Sequence, residues 1–132
     1  MVKEKAVLPS FFPVDLKFNM IAPTDVAKFI ADKIEIGITQ SELVEIVGPK
    51  KYSTNDIADE MGKVFHKEVT PYEIPRKEWS EMMKNIGFSE DATKNFSVMT
   101  ETVAQGKTMP EGKGQNPISL QTSFKVYVQH FI

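Results

Sequence analysis

Residues 44–65, VEIVGPKKYSTNDIADEMGKVF, constrain the fold of this chain most, because a short apolar run, a Gly-Pro break and a helix start follow one another directly. The apolar run at 43–47 predicts a strand that is covered on both faces. Ser53 stands three residues before Asp56, a spacing close to that of a capping box, and an apolar stripe of helical period follows. The stretch therefore predicts a strand, a sharp turn and an amphipathic helix.

The turn in this stretch lacks the residues of a phosphate site. Strand–turn–helix units often bind nucleotides, because the backbone N–H groups of a glycine-rich turn bind phosphates. Here Pro49, Lys50 and Lys51 occupy the positions that a glycine cradle needs. The nearest match to G-x-G-x-x-G, residues 112–117, ends on proline and follows no predicted strand. The residues alone therefore predict no dinucleotide site.

The segment before this unit predicts one strand and one helix. Residues 16–20 alternate in polarity, which is typical of a half-buried strand. Thr24 is the expected cap of the helix that follows, with Asp25 favourably placed near its positive end. This helix is predicted to bury one face, formed by Val26, Ile30 and Ile34.

The segment after this unit is predicted to be mainly helical. Residues 69–74 predict an edge strand, since Pro71 cannot donate to a ladder. One helix follows between Pro75 and Gly87, and a longer one begins at Ser89. The apolar stripes of these two helices are Trp79, Met82, Met83 and Ile86, and Ala92, Phe96, Met99 and Val103.

The C-terminal part of the sequence predicts a loop and a last helix. Residues 106–117 hold three glycines and two prolines, which is typical of a mobile loop. Ser119 is expected to cap the last helix. The residues of that helix predicted to face inward are Leu120, Phe124, Val128 and Phe131.

Length and composition predict one ordinary globular domain, residues 1–132, with 41% hydrophobic and 26% charged residues. The net charge of −2 gives no reason to expect a nucleic acid or an anionic membrane as partner. No window approaches the roughly 18 consecutive apolar residues of a membrane span. Cysteine is absent, which excludes disulfides and thiolate catalysis. Together with an N-terminus that lacks a signal-peptide pattern, these features predict a cytoplasmic location.

Residue patterns that carry catalysis are not found in the sequence. None of the three tyrosines is followed four residues later by the lysine that short-chain dehydrogenases pair with tyrosine. His66 and His130 lack metal-ligand spacings, and carboxylates on predicted polar helix faces are explained by solvation. The sequence therefore predicts neither catalytic nor metal-binding residues.

Two groups of apolar residues are candidates for a ligand pocket. Trp79 with Met82 and Met83 is suited to an apolar pocket, since methionine adapts to varied ligands, but core packing explains the same stripe. Phe11 and Phe12 adjoin between two prolines, outside any periodic element. A pocket or an interface is one interpretation of this pair, and ordinary burial is the other.

Taken in order, three segments resemble the C-terminal part of NmrA-like proteins. These are atypical short-chain dehydrogenase/reductase relatives that bind NAD(P) through an N-terminal Rossmann domain. MIAPTDVAKFIADKI (20–34) resembles the family's strand and "DVA" helix, and residues 44–96 resemble its substrate-side subdomain. NPISLQTSFKVYV (116–128) resembles the closing helix, with Pro117, Ser119 and Leu120 at its entry.

The resemblance implies an α+β fold, mostly helical with a few short strands, without the dinucleotide-binding half. It implies a fragment or truncated form of an NAD(P)-binding oxidoreductase or redox sensor, to which this chain contributes the substrate-side lobe. The chain alone would then bind no cofactor and catalyse nothing, and its partner would be the missing Rossmann half. The residues expected to line the substrate pocket, the first three of them nearest the cofactor domain, are Phe11, Phe12, Met20, Trp79 and Met83.

An alternative remains open beside this interpretation. The chain is then a stand-alone binding module that acts through self-association, for example as a homodimer, without catalysis. Both interpretations expect apolar surface to be exposed where a Rossmann half would pack.

Overall fold

The computed structural model describes residues 5–37, 39–108 and 117–130. Over these ranges the chain is mostly helical with a few short strands, as predicted. It divides into two compact units, the first formed by Met1–Leu16 and Ser53–Met109 and the second by Lys17–Tyr52 and Pro110–Ile132. This division leaves the predicted single domain a prediction.

Along the chain, the helices and strands of the described residues belong first to the first unit, then to the second, then to the first again and finally to the second. They are β1 (Val7–Ser10), β2 (Phe18–Asn19), α1 (Pro23–Ile36), β3 (Ile46–Val47), β4 (Lys51–Tyr52), α2 (Thr54–Phe65), β5 (Thr70–Glu73), a 3-10 turn (Arg76–Glu78), α3 (Trp79–Asn85), α4 (Glu90–Ala104), β6 (Ile118–Ser119) and α5 (Phe124–Gln129).

In the first unit, β1 and β5 form a parallel pair in which Val7 lies opposite Thr70. Helix α2 begins at the predicted capping box: the Ser53 hydroxyl accepts from the Asp56 N–H at 3.1 Å, and the Asp56 carboxylate accepts from the Ser53 N–H at 2.9 Å. A cap of this kind is worth about 1 kcal/mol. The helix start that the local sequence predicts is therefore confirmed.

The apolar core of the first unit lies where β5 leads into α3. Ile74, Trp79 and Met83 are buried together, and Phe11 and Phe96 pack against them. The Trp79 indole N–H donates to the Ile74 carbonyl at 2.8 Å, so the one buried polar atom of this side chain is satisfied. The core thus fixes the start of α3 on the end of β5.

Helix α4 buries a polar stripe that the sequence analysis did not predict. Thr93, Ser97 and Thr100 are buried, whereas Met99, predicted to face inward, is half exposed. The hydroxyls of Ser97 and Thr100 donate at 2.8 Å to the carbonyls four residues earlier, which removes most of the cost of burying them. These short side chains suit the close packing of α4 against α3.

The second unit contains two short strand pairs. β2 and β4 are antiparallel with Phe18 opposite Tyr52, and β3 and β6 are parallel with Ile46 opposite Ile118. The strand predicted at 43–47 is only two residues long. Gly48, directly after β3, is required by packing, because a Cβ at this position would overlap the carbonyl oxygen of Met20.

The predicted last helix begins later than expected. Ser119 lies in β6 and caps no helix, while Ser123 caps α5 by accepting from the Val126 N–H. Pairing with β3 keeps the preceding residues extended, since the Leu120 N–H donates to the Val47 carbonyl at 2.8 Å. Of the other predictions for this end of the chain, residues 109–116 of the loop and Phe131 lie outside the described residues.

Helix α1 forms where it was predicted, but it differs in its cap and in its burial. It begins at Pro23 after Ala22, so Thr24 lies inside the helix and is not its cap. None of its residues is buried, although a buried face was expected: Ile30 is 51% exposed and Ile34 is 68% exposed. Val26, near the start of the helix, is half-buried, so the uncovered part of this apolar face is formed by Ile30 and Ile34.

Candidate functional site

An apolar pocket lies in the second unit, between the end of β2, the start of α1 and the start of α5. Its volume is about 90 Å³. Its walls are formed by Met20, Ile21, Ala22, Tyr52, Thr122, Phe124 and Tyr127. No charged side chain is among these described residues, so the pocket is suited to an uncharged group.

Tyr52 fixes one wall of this pocket. Its ring is 2% exposed and lies 6.0 Å from the ring of Phe124. Its hydroxyl oxygen accepts a hydrogen bond at 3.0 Å from the Phe124 N–H, one of the free donors at the start of α5. The Lys50 ammonium lies 4.7 Å from the centre of the Tyr52 ring, a cation–π distance. The phenol is therefore held in place by contacts within the unit.

Asp25 fixes a second wall through Thr122. The Thr122 hydroxyl donates to one carboxylate oxygen at 2.6 Å, and the Thr122 N–H donates to the other at 2.9 Å. The Thr122 hydroxyl bond, followed by the backbone bond, lowers the pKa of Asp25. Because the hydroxyl proton of Thr122 is already donated to Asp25, this side chain contributes position rather than acid–base chemistry.

The five residues predicted to line a substrate pocket lie in different surroundings. Met20 lines the apolar pocket of the second unit. Trp79 and Met83 are buried in the core of the first unit, where the Phe11 ring meets the Trp79 ring edge-on at 5.6 Å. Phe12 is half-buried, and its N–H donates to the Ser10 hydroxyl at 3.0 Å. Whether any of these five residues contacts a substrate stays a prediction.

Sequence reasoning missed most of the residues that form this pocket. Tyr52 and Tyr127 were tested only as members of a tyrosine–lysine pair, and Phe124 was assigned by helical period alone. Tyr52 and Phe124 are 72 positions apart. No spacing rule joins residues at that separation, so the signal that Tyr52 carries a wall of the pocket is absent from the local sequence.

The described residues do not fit a dinucleotide. A pyrophosphate needs free N–H groups at a helix start that follows a strand. At α2, the one helix here that directly follows a strand, the Ser53–Asp56 capping box uses these donors and adds a carboxylate. At the start of α4 the Ser89 hydroxyl accepts from the Ala92 N–H, so this backbone donor is not free for a pyrophosphate.

Neither a metal site nor a membrane span is found within the same described ranges. No three histidine or carboxylate side chains converge there to hold a metal ion. None of the helices described combines the length and the apolar composition that crossing a bilayer requires.

Comparison with known proteins identifies solved structures with a similar fold. No protein-family model matches the sequence, and no curated protein matches it significantly. The structure is similar to triphenylmethane reductase from Citrobacter sp. complexed with NADP(H), with a TM-score of 0.75 and 15% identity over 98% of this chain and 46% of the reductase. A second structure of that reductase gives a TM-score of 0.74 and 16% identity, over 97% of this chain and 45% of the reductase.

The structural similarity covers only part of the reductase. The chain spans somewhat less than half the length of the solved reductase. It has the fold of a C-terminal part of that protein, an NmrA-like member of the atypical short-chain dehydrogenase/reductases. The resemblance and the fold class predicted from the sequence are therefore confirmed at the level of the fold.

Proposed function

We propose that this chain is the substrate-side lobe of an NAD(P)-binding reductase or redox sensor, and that a separate Rossmann half binds the nucleotide. The observation that carries the proposal is the fold: nearly the whole chain corresponds to less than half of a reductase solved with NADP(H). When bound, NAD(P)H supplies the hydride, and this chain would contribute binding, orientation and exclusion of water. A cytoplasmic location is part of the proposal, supported by the cysteine-free sequence.

The exposed part of the apolar α1 face, formed by Ile30 and Ile34, supports a partner that packs against it. A 14-residue helix is marginal in water without tertiary packing. Covering an exposed isoleucine side chain stabilises a protein by about 1.5–3 kcal/mol. Burying Ile30 and Ile34 under a second layer would therefore hold α1 in place and dock the partner at once.

The β3–β6 pair supports the same partner. Parallel strands are normally buried within larger sheets, and isolated two-stranded sheets are marginally stable. In the described part of the chain, β3 and β6 pair only with each other, over two residues each. A Rossmann half contains a mostly parallel sheet, and its strands would extend the β3–β6 pair into a larger sheet.

The apolar pocket would receive an uncharged part of the substrate. Pockets that enclose a complete small ligand measure roughly 300–1,000 Å³. At about 90 Å³, the pocket beside Tyr52 and Phe124 holds only a small group of atoms. The remaining contacts to the substrate and to the nicotinamide ring would then come from the Rossmann half.

Calorimetric titration with NADPH tests the proposal. The 132-residue chain alone should show no micromolar binding, while the chain combined with the Rossmann half encoded beside it in the gene should bind at 1:1. Ile34→Glu should weaken that combination, whereas Ile86→Glu, 65% exposed in the first unit, should leave it unchanged. Tight 1:1 binding of NADPH by the isolated chain would overturn the division of labour.

A self-associating module without catalysis is the second candidate, favoured by the same exposed α1 face. Sedimentation separates the two candidates. A stable dimer of the 132-residue chain that Ile34→Glu dissociates, together with a gene that encodes no Rossmann half, would favour the module. A monomer that assembles only with a Rossmann half would favour the reductase lobe.

A further inference from the structure

We infer that the groove between α3 and α4 in the first unit binds a small phosphate monoester through lysine ammonium groups and a threonine hydroxyl. The groove has a volume of about 310 Å³, within the range of small-ligand sites. Most of its lining residues are charged or carry a hydroxyl group, in contrast to those of the pocket of the second unit. This inference does not depend on the proposed reductase function.

Unpaired positive charge is the first observation. Lys84 of α3 and Lys94 of α4 both line the groove, and among the described residues neither lies within ion-pair distance of a carboxylate. Arg76, at one end of the groove, is paired with Glu101. The two ammonium groups match the charge of about −1.5 to −2 that a phosphate monoester carries near neutral pH. Two lysines without an ion-pair partner among the described residues thus line the same groove, one on each of two neighbouring helices.

Thr93 is the second, independent observation. It lines the groove and is only 5% exposed, yet its hydroxyl has no hydrogen-bond partner. The buried hydroxyls of Ser97 and Thr100 on the same helix do have partners, which makes Thr93 the exception. The Oγ1 atom itself is enclosed, so a ligand in the groove would reach it only after rotation about the Cα–Cβ bond, between the two rotamers that a helical threonine adopts. A bound oxyanion would satisfy a donor that is otherwise costly to bury.

The remaining groups of the groove set its preference. The Ser80 hydroxyl supplies a further donor on α3, while the Glu90 carboxylate opposes negative charge at the start of α4. Attraction to the two lysines and repulsion from Glu90 both grow with the charge of the anion, and because two positive groups face one negative group, a dianion has the larger net gain. Phosphate should therefore bind more tightly than acetate, and removal of the Glu90 charge should strengthen binding.

NMR titration of the 132-residue chain with inorganic phosphate, at low ionic strength, tests the site. Lys84→Gln and Lys94→Gln should each weaken binding about threefold, as for an exposed ion pair. Thr93→Val keeps the shape and the net charge and should weaken binding about tenfold through the lost hydrogen bond. Lys125→Gln is the control, since Lys125 is exposed on α5 and should have no effect.

The same titration has outcomes that overturn the inference. Equal losses of phosphate affinity in Lys84→Gln and Lys125→Gln would show that the affinity depends only on the net charge of the protein. Unchanged binding by a folded Thr93→Val variant, checked by circular dichroism, would remove the hydroxyl from the site. Acetate binding as tightly as phosphate would exclude the phosphate monoester. Glu90→Gln must tighten binding, and weaker binding in that variant would place the anion elsewhere.

Discussion

The phenol oxygen of Tyr52 and the backbone N–H of Phe124 form a hydrogen bond of 3.0 Å across 72 positions of sequence. Tyr52 ends β4, and Phe124 begins α5. A free donor at a helix start is thereby satisfied by a side chain that also forms a wall of the apolar pocket. The start of α5 and the shape of the pocket therefore depend on the same bond.

Replacement of this phenol should cost stability without loss of the fold. Tyr52→Phe keeps the ring but leaves the Phe124 N–H without its acceptor, so the free energy of unfolding should fall by about 1–2 kcal/mol. Urea unfolding measures the change. Tyr72→Phe is the control, because Tyr72 is exposed in β5 and should change stability little. Equal effects of the two substitutions would show that the bond contributes nothing.

Gly48→Ala should destabilise the second unit, because the added methyl would overlap the Met20 carbonyl oxygen and force the backbone apart. Overpacking of this kind costs about 3 kcal/mol when backbone must move. Gly106→Ala is the comparison: its space is open, and only its φ of 73° opposes a side chain, at about 1 kcal/mol. Urea unfolding of both variants should rank Gly48→Ala as clearly worse.

The carboxylate of Asp25 should contribute to stability in a defined pH range. Its pKa is lowered by the bonds from Thr122, so the contribution is complete above the ordinary carboxyl pKa of about 3.9 and is lost as the pH falls through the lowered value. In an NMR titration, Thr122→Val should move the pKa of Asp25 up toward its ordinary value. Thr102→Val should not, since the Thr102 hydroxyl donates to Val98 within α4.

Truncation of Phe11 should be visible at the single tryptophan of the chain. The Phe11 ring packs edge-on against Trp79 and Phe96, and it is half-buried. Phe11→Ala should cost about 2 kcal/mol, below the value for a fully buried phenylalanine, and should shift Trp79 fluorescence to longer wavelength. Val98→Ala, at an exposed position, should change neither signal. Unchanged fluorescence in Phe11→Ala would place that ring outside the core.

Charge on the α1 face should be tolerated by the isolated chain. Ile34→Glu replaces a side chain that is largely exposed, so the free energy of unfolding should change by no more than about 0.5 kcal/mol. Val128→Glu introduces the same charge at a buried position of α5 and should prevent stable folding. A large loss in Ile34→Glu would mean that α1 is covered in the isolated chain.

The sequence predicted those parts of the fold that local chemistry decides. The capping box of Ser53 and Asp56 was recognised because both partners lie within one helical turn. The positive φ at Gly87, which ends α3, was recognised from glycine itself. Ser119 was predicted to cap the last helix because apolar residues of helical period follow it, whereas Ser123 is the cap. The start of this helix depends on the pairing of β6 with β3, in which Ile118 lies opposite Ile46, 72 positions earlier in the sequence.

The burial of the helices was predicted less well. Helical period identified the apolar face of α1 but not whether anything covers it, since coverage depends on other parts of the molecule. On α4, period pointed to Met99, whereas hydroxyl bonds within the helix allow Ser97 and Thr100 to be buried instead. Met20, one of the residues predicted to line a substrate pocket, lies in the apolar pocket. Tyr52 was not among those residues, because long-range contacts leave no mark on local spacing.

The capping box at the start of α2 limits which new ligands this part of the chain can acquire by substitution. To recruit a nucleotide at this turn, evolution or design would have to replace Ser53 and Asp56 together and then insert glycines at 49–51. Each step on that route would loosen the helix before any new ligand compensated. The surfaces of this fold can therefore change more easily than this turn can acquire a nucleotide site.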